Sequence, residues 1–365
     1  MNPDVSRQIA DYKKLPKDEL KSRVNAIKSR LGKSLVILGH HYQADDVIEL
    51  SDFRGDSFKL SKTASEQKTA KYIVFCGVHF MAESAAILAS EGQSVFIPDM
   101  SAGCPMADMA FITQVEEAWN ALAKLVDVKK ISPIVYVNSD AELKAFCGRN
   151  HGACCTSSNA DKIFKWAFAK SEKIFFFPDE HLGRNTAYKL GLKEQDLILY
   201  DPAQKLAGVD ANSLIPKKVI LWKGYCHIHT FFTADHIHAA REKYPDAKII
   251  VHPETPREVV ELADLTGSTE SIIKFVESQP IGSTIVVGTE IHMVDRLAKE
   301  QEGKRKVIPL ARSACGNMMK INLANLLVTL EHIEMEEKDW INRVAVPEPV
   351  RSQARLALET MLQYG

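Results

Sequence analysis

Lys248-Ile249-Ile250-Val251-His252-Pro253-Glu254-Thr255-Pro256-Arg257-Glu258 carries the pattern on which the fold is read. A short apolar run without alternation ends in a polar loop, and helix signals follow at once. Thr255 suits an N-cap, Pro256 the first helical position and Glu258 the acid of a capping box. An unbroken apolar run is how a strand buried on both faces of a parallel sheet reads. The theme recurs at Leu35-Leu38, Tyr72-Cys76, Val95-Ile97, Ile134-Val137, Ile174-Phe177, Val219-Trp222, Thr284-Val287 and Val307-Leu310. Runs spaced by helical patterns predict βαβ units. So many strands in 365 residues exceed one comfortable open sheet, so the expected fold class is α/β, divided among several αβα units.

Residues 5–32 read as a charged amphipathic helix ending at Gly32, and the stretches 148–155 and 200–213 as linkers or insertions. Thr233 and Thr269 also suit helix entry. Lys plus Arg number 46 and Asp plus Glu 47, a net charge of −1, which argues against a dedicated nucleic-acid binder. No apolar leader or bilayer-length apolar run occurs, so no membrane partner is expected and a cytoplasmic location is. There the seven cysteines would stay reduced.

Ligands of open α/β sheets bind beyond the carboxyl ends of the strands. Eight of the twelve histidines follow such runs: His40, His41, His79, His181, His227, His229, His252 and His292. His227 with His229, and His252 with Glu254, are the pairs best placed for proton transfer. Thr156-Ser157-Ser158-Asn159 and Gly267-Ser268-Thr269 precede helices, where free N–H groups suit an anion or simply need a cap. No phosphate-loop or dinucleotide glycine motif is present.

Cys104, Cys226 and Cys315 each follow a different strand in a glycine-flanked loop. Three thiolates suit an iron–sulfur cluster or zinc with one position open to a substrate oxygen, or they are small loop residues without a metal. Cys147, His151 and Cys154 form a non-standard zinc spacing or, with Cys155, partly buried thiols. Cys76 sits within an apolar run and reads as core.

Together, these loops resemble the quinolinate synthase family from about residue 30 to 335. The resemblance rests on Gly39-His40-His41-Tyr42-Gln43, Gly55-Asp56-Ser57, Cys76-Gly77-Val78-His79-Phe80-Met81-Ala82-Glu83, Ser101-Ala102-Gly103-Cys104, Tyr136-Val137-Asn138, Cys155-Thr156-Ser157-Ser158-Asn159 and Pro178-Asp179-Glu180-His181-Leu182-Gly183. It continues through Cys226-His227-Ile228-His229, His252-Pro253-Glu254, Gly267-Ser268-Thr269, Gly288-Thr289-Glu290 and Cys315-Gly316-Asn317-Met318. It implies three similar three-layer αβα units around a pseudo-threefold axis, with the active site at their junction. On this division residues 1–32 are a helical extension, 33–110 plus 306–365 the first unit, 111–217 the second and 218–305 the third.

The resemblance further implies a [4Fe-4S] cluster on Cys104, Cys226 and Cys315. The reaction implied condenses iminoaspartate with dihydroxyacetone phosphate to quinolinate, losing phosphate and two waters. Tyr42, His229 and Glu254 look like the acid–base group. His40, Ser57, Tyr136, Asn138, Ser157, His252, Ser268 and Thr269 look like contacts to carboxylate and phosphate, none of them anionic. An aspartate oxidase is the implied supplier of iminoaspartate. The competing readings are another metal-dependent hydro-lyase and a non-catalytic iron–sulfur redox sensor, although a carrier normally uses four protein ligands.

Overall fold

A computed structural model describes residues 3–205 and 209–364. The expected loop over 200–213 is thus described except for 206–208, which lie outside the described residues, as do residues 1, 2 and 365 of the terminal divisions. Three sheets, almost wholly parallel, alternate with helices along the chain. The first holds β1 (Leu35–His40), β2 (Phe53–Gly55), β3 (Tyr72–Cys76) and β4 (Ser94–Phe96). The second holds β5 (Ile131–Tyr136), β6 (Ala153–Cys155), β7 (Lys173–Phe177), β8 (Leu197–Tyr200) and β9 (Val219–Trp222), in the order β6-β5-β7-β9-β8. The third holds β10 (Lys248–Val251), β11 (Leu265–Thr266), β12 (Thr284–Gly288) and β13 (Lys306–Pro309), in the order β11-β10-β12-β13. β14 (Arg343–Val344) then returns to the first sheet, antiparallel to β4, giving the order β14-β4-β3-β1-β2.

All nine expected strands are present. The five that apolar runs did not announce, β2, β6, β8, β11 and β14, all lie at sheet edges. An edge strand is short and needs no double-faced apolar run; β2, β11 and β14 each leave residues exposed. The interior strands are closed on both faces. Every residue of β7, Lys173-Ile174-Phe175-Phe176-Phe177, is buried. In the third sheet Ile249, Val251 and Val286 pack with Val259, Ile237 and Phe232.

The N-terminal helix expected over 5–32 is two helices, Pro3–Tyr12 and Lys17–Leu31. Pro16 breaks them, since it lacks an N–H for a continuous ladder and stands extended before the second helix. Gly32 ends that helix at φ +49°, where a side chain would be strained. The helix after β10 also begins later than its sequence suggests: Arg257–Leu262 with Pro256 at the N-cap. Thr255 instead turns its hydroxyl onto the His252 carbonyl, tightening the loop.

By internal contacts the chain forms two compact units, Met1–Cys104 with Cys315–Val346, and Pro105–Ala314 with Pro347–Gly365. The first contains the first sheet; the second contains the other two. The divisions at 217/218 and 305/306 differ from the strand pairing, because β9 joins the second sheet and β13 the third. The C-terminal helix Val350–Gln363 also does not complete the first unit. It packs on the helix Ala141–Arg149 and on β6, where Asn159 Nδ2 donates to the Met361 carbonyl at 3.0 Å. Gly148 permits this approach, since a Cβ there would stand 1.9 Å from the Gln353 carbonyl oxygen. Gly148→Ala is therefore expected to destabilise the fold by about 3 kcal/mol, seen as a lower melting temperature.

Candidate active site

The second unit gathers residues from the carboxyl ends of six strands. β5 ends on Tyr136, and β6 leads to Ser157. β9 leads to Cys226 and His229, β10 to His252 and Glu254, β11 to Ser268 and Thr269, and β12 to Thr289.

Glu254 is the centre of this arrangement. The Tyr136 hydroxyl donates to its Oε1, and His229 Nδ1 lies 2.6 Å from its Oε2. His229 Nε2 is 3.1 Å from Thr289 Oγ1, so both ring nitrogens are engaged. The His252 ring stacks on His229 with centroids 4.3 Å apart, and its Nε2 stands 3.3 Å from Ser157 Oγ. Glu254 and His252 are each only 3% exposed and His229 1%.

Burial alone would raise the Glu254 carboxyl. The adjacent His229 and His252, with hydrogen bonds from His229 and Tyr136, outweigh it and hold the group down at about 2. Glu254 is therefore an anion in a closed site, able to accept a proton that a reacting group presents. Burial, helped by His229 and opposed by Glu254, lowers His252 to about 3, so this ring is neutral at physiological pH.

The His252 shift has a consequence for stability. Below about 6.5 the unfolded chain binds a proton at His252 that the folded chain refuses until about 3. This contribution is full above 6.5 and is lost as pH falls through that window. Wild type is expected to lose about 2.5 kcal/mol more than His252→Asn between pH 7 and 4.5, checked by unfolding at both pH values.

Cys226 Sγ, a ring nitrogen of His229 and a carboxylate oxygen of Glu254 lie within 4.8 Å of one another. This is the one grouping of three or more such donors found among the described residues. Thiolate and imidazole are ligands for iron and zinc, and the carboxylate adds a harder donor. None of the seven cysteines forms a disulfide. Cys104, Cys226 and Cys315 are half-buried on loops beyond β4, β9 and β13, one from each sheet, while the other four are buried. The set of Cys226, His229 and Glu254 thus fits a metal held in part by a thiolate.

Cys147, Cys154 and Cys155 are fully enclosed, whereas His151 is exposed, so the alternative zinc set is not assembled. Burial raises all three thiols, Cys154 to about 12, which removes their thiolate character. Cys147→Ala is expected to keep the metal and the activity, measured by metal content and turnover. Cys76 is likewise core, pushed up to about 12 by burial.

The first unit holds His40, Tyr42, Ser57, Cys104 and Cys315. His40 closes β1; its Nδ1 accepts from the Tyr42 amide at 3.2 Å, and the two rings meet edge-on at 4.8 Å. Ser57 opens the helix Ser57–Glu66, whose cap is Asp56.

Of the expected histidine pair, His229 is buried in the site, whereas His227 faces solvent. The hydroxyl loops divide similarly. Ser268 caps the helix Thr269–Ser278, while the buried Thr269 Oγ1 has no partner among the described residues. Asn159 holds the turn before Ala160–Phe168 through the Thr156 amide, leaving Ser157 to face His252. Asn138 is half-buried two residues beyond β5.

Sequence reasoning assigned no role to Thr289, the partner of His229, although its place directly after β12 was a signal. It also passed over Asn185, inside the helix Glu180–Lys189 that Asp179 caps. Nothing at a mid-helix position marks such a residue.

A family model described as "Quinolinate synthetase A protein" matches residues 22–363. A quinolinate synthase of Acidobacterium capsulatum is 48% identical over 357 residues, covering 96% of this chain and 95% of its own length. That of Bacillus subtilis is 46% identical over 366 residues, 98% of either chain. That of Rhodopirellula baltica is 43% identical over 371 residues, 98% of this chain and 94% of its own. No helix among the described residues is long and apolar enough to cross a membrane. A match of this extent to the family model and to such relatives means that the chain belongs to the quinolinate synthase family, enzymes of NAD biosynthesis.

Proposed function

We propose that the enzyme condenses iminoaspartate with dihydroxyacetone phosphate to quinolinate, releasing phosphate and two waters. The observation that carries this reading is the buried Glu254 anion, set between Tyr136 and His229 and beside the Cys226 thiol. A condensation followed by two dehydrations needs a proton acceptor and donors at defined atoms, and this group offers both.

Glu254 takes and returns protons; Tyr42 and His229 donate to departing or developing oxygens. His40, Ser57, Tyr136, Asn138, Ser157, His252, Ser268 and Thr269 hold the carboxylates and the phosphate. The ten-residue helix Thr269–Ser278 adds the positive end of its dipole and free N–H groups. Thr269 Oγ1, buried and without a partner among the described residues, is a hydrogen-bond group ready for such an anion.

Cys104, Cys226 and Cys315 would hold a [4Fe-4S] cluster with one iron left without a protein ligand, supplying Lewis acidity to a substrate oxygen. An aspartate oxidase supplies the unstable imine. A cytoplasmic setting, where thiols remain reduced, suits a chain with seven cysteines and no disulfide.

The test is an anaerobic quinolinate assay with both substrates. Brown protein with about four irons and four sulfides per chain is expected to form product. A colourless, iron-free and fully active preparation would overturn the cluster reading. A second reading follows from the Cys226, His229 and Glu254 grouping, which alone offers three ligands to a single metal ion, as in a metal-dependent hydro-lyase. It requires one metal per chain and no sulfide.

A further inference from the structure

Asn185 lies in the helix Glu180–Lys189 and is 5% exposed. Its Nδ2 donates to the Pro253 carbonyl at 2.9 Å and to the Thr255 carbonyl at 2.8 Å. These two carbonyls flank Glu254. The same amide therefore grips the chain immediately before and immediately after the proposed proton carrier.

The rest of the turn is closed from within. The Thr255 amide and hydroxyl both donate to the His252 carbonyl, and the Glu254 amide points at His252 Nδ1, 3.4 Å away. The outer face of the turn is thus held by Asn185. Both amide hydrogens are spent on it, which fixes the orientation of the side chain, because neither carbonyl can accept from Oδ1. Asn185 Oδ1 is itself buried without a partner among the described residues. Leaving a buried acceptor unpaired is costly, so the two donated bonds carry the benefit of an amide at this position.

We propose that Asn185 is a positioning residue for Glu254, holding the turn so that the carboxylate meets Tyr136 and His229. The inference rests on the acid–base reading of Glu254 given above. Both hydrogens of the Asn185 amide are engaged by the turn, so its expected effect falls on turnover, through the placement of Glu254. A misplacement of about 1 Å in a proton acceptor can cost on the order of a hundredfold in rate.

The test compares wild type, Asn185→Leu, Asn185→Asp, Glu254→Gln and the double variant Asn185→Leu/Glu254→Gln, all as full-length metal-loaded protein. Leucine keeps the approximate size without donors; aspartate keeps the shape and serves if leucine fails to fold. Each Asn185 variant is expected to lower kcat about tenfold to a hundredfold, with KM for either substrate within about threefold and metal content unchanged. The double variant is expected to be no slower than Glu254→Gln alone, because the clamp works only through Glu254. A kcat within twofold of wild type, a loss confined to KM, or a further full loss in the double variant would overturn the positioning role. Full activity of Glu254→Gln would instead overturn the reading of Glu254, and the clamp with it.

Discussion

Cys226→Ala is expected to leave a protein that neither retains its metal group nor turns over, a loss of at least about a thousandfold. The expectation rests on the place of the thiol. Cys226 is half-buried beyond β9, and its Sγ lies within 4.8 Å of a His229 nitrogen and a Glu254 oxygen. Alanine removes the softest donor and leaves imidazole and carboxylate, a weak set for a thiophilic group. Anaerobic iron and sulfide determination, the visible spectrum and quinolinate formation check it. Cys104→Ala and Cys315→Ala decide between the two metal readings. Under the cluster reading each is as damaging as Cys226→Ala; under the single-ion reading both leave the metal in place. The buried Cys147 provides the contrast, since the same substitution there is expected to change neither readout.

The second large effect is expected at Glu254. Glu254→Gln preserves size and can still accept from Tyr136, but it removes the anion that contacts with His229 and Tyr136 stabilise. Loss of a positioned base lowers turnover by about a hundredfold to ten-thousandfold. KM is expected to change little, because Glu254 is assigned no contact to carboxylate or phosphate. Steady-state kinetics with each substrate varied gives the split. The cluster reading expects the iron content to survive; the single-ion reading expects the metal to be lost with its carboxylate ligand. The pH profile adds a sign. With Glu254 held at about 2, its protonation does not limit turnover at neutral pH, so the acid limb of the wild-type profile belongs to other groups.

The fold was legible where burial leaves a direct trace. β3, β7 and β10 are buried between layers and read as unbroken apolar runs. β2, β8 and β11 did not announce themselves, because an edge strand is bounded by one neighbour and needs no such run. Local helix signals were partly overruled. Thr255 has the side chain of an N-cap, yet its hydroxyl bonds the His252 carbonyl, because the turn bearing Glu254 competes for it. The helix Val350–Gln363 shows a further limit: the family resemblance set residues 306–365 in the first unit, and nothing local in the sequence says which sheet receives the helix. That depends in part on Gly148, whose missing side chain admits the Gln353 carbonyl.

For the site, residue type and position at strand ends were enough to single out His229, His252, Glu254 and Cys226, since open α/β sheets expose their loops there. Position in the loop treated His227 and His229 alike and only the family resemblance named His229; burial separates them, enclosing one and exposing the other. It also gave Asn185 and Thr289 no role, because their significance is a distance to residues remote in the chain. What the sequence determined alone is therefore the kind of fold and the inventory of reactive groups, both written in local patterns of burial and chemistry. What only the tertiary structure decided is which groups meet: that one carboxylate beyond the third sheet stands between a tyrosine and a histidine of the second, charged because their contacts outweigh the cost of burying it.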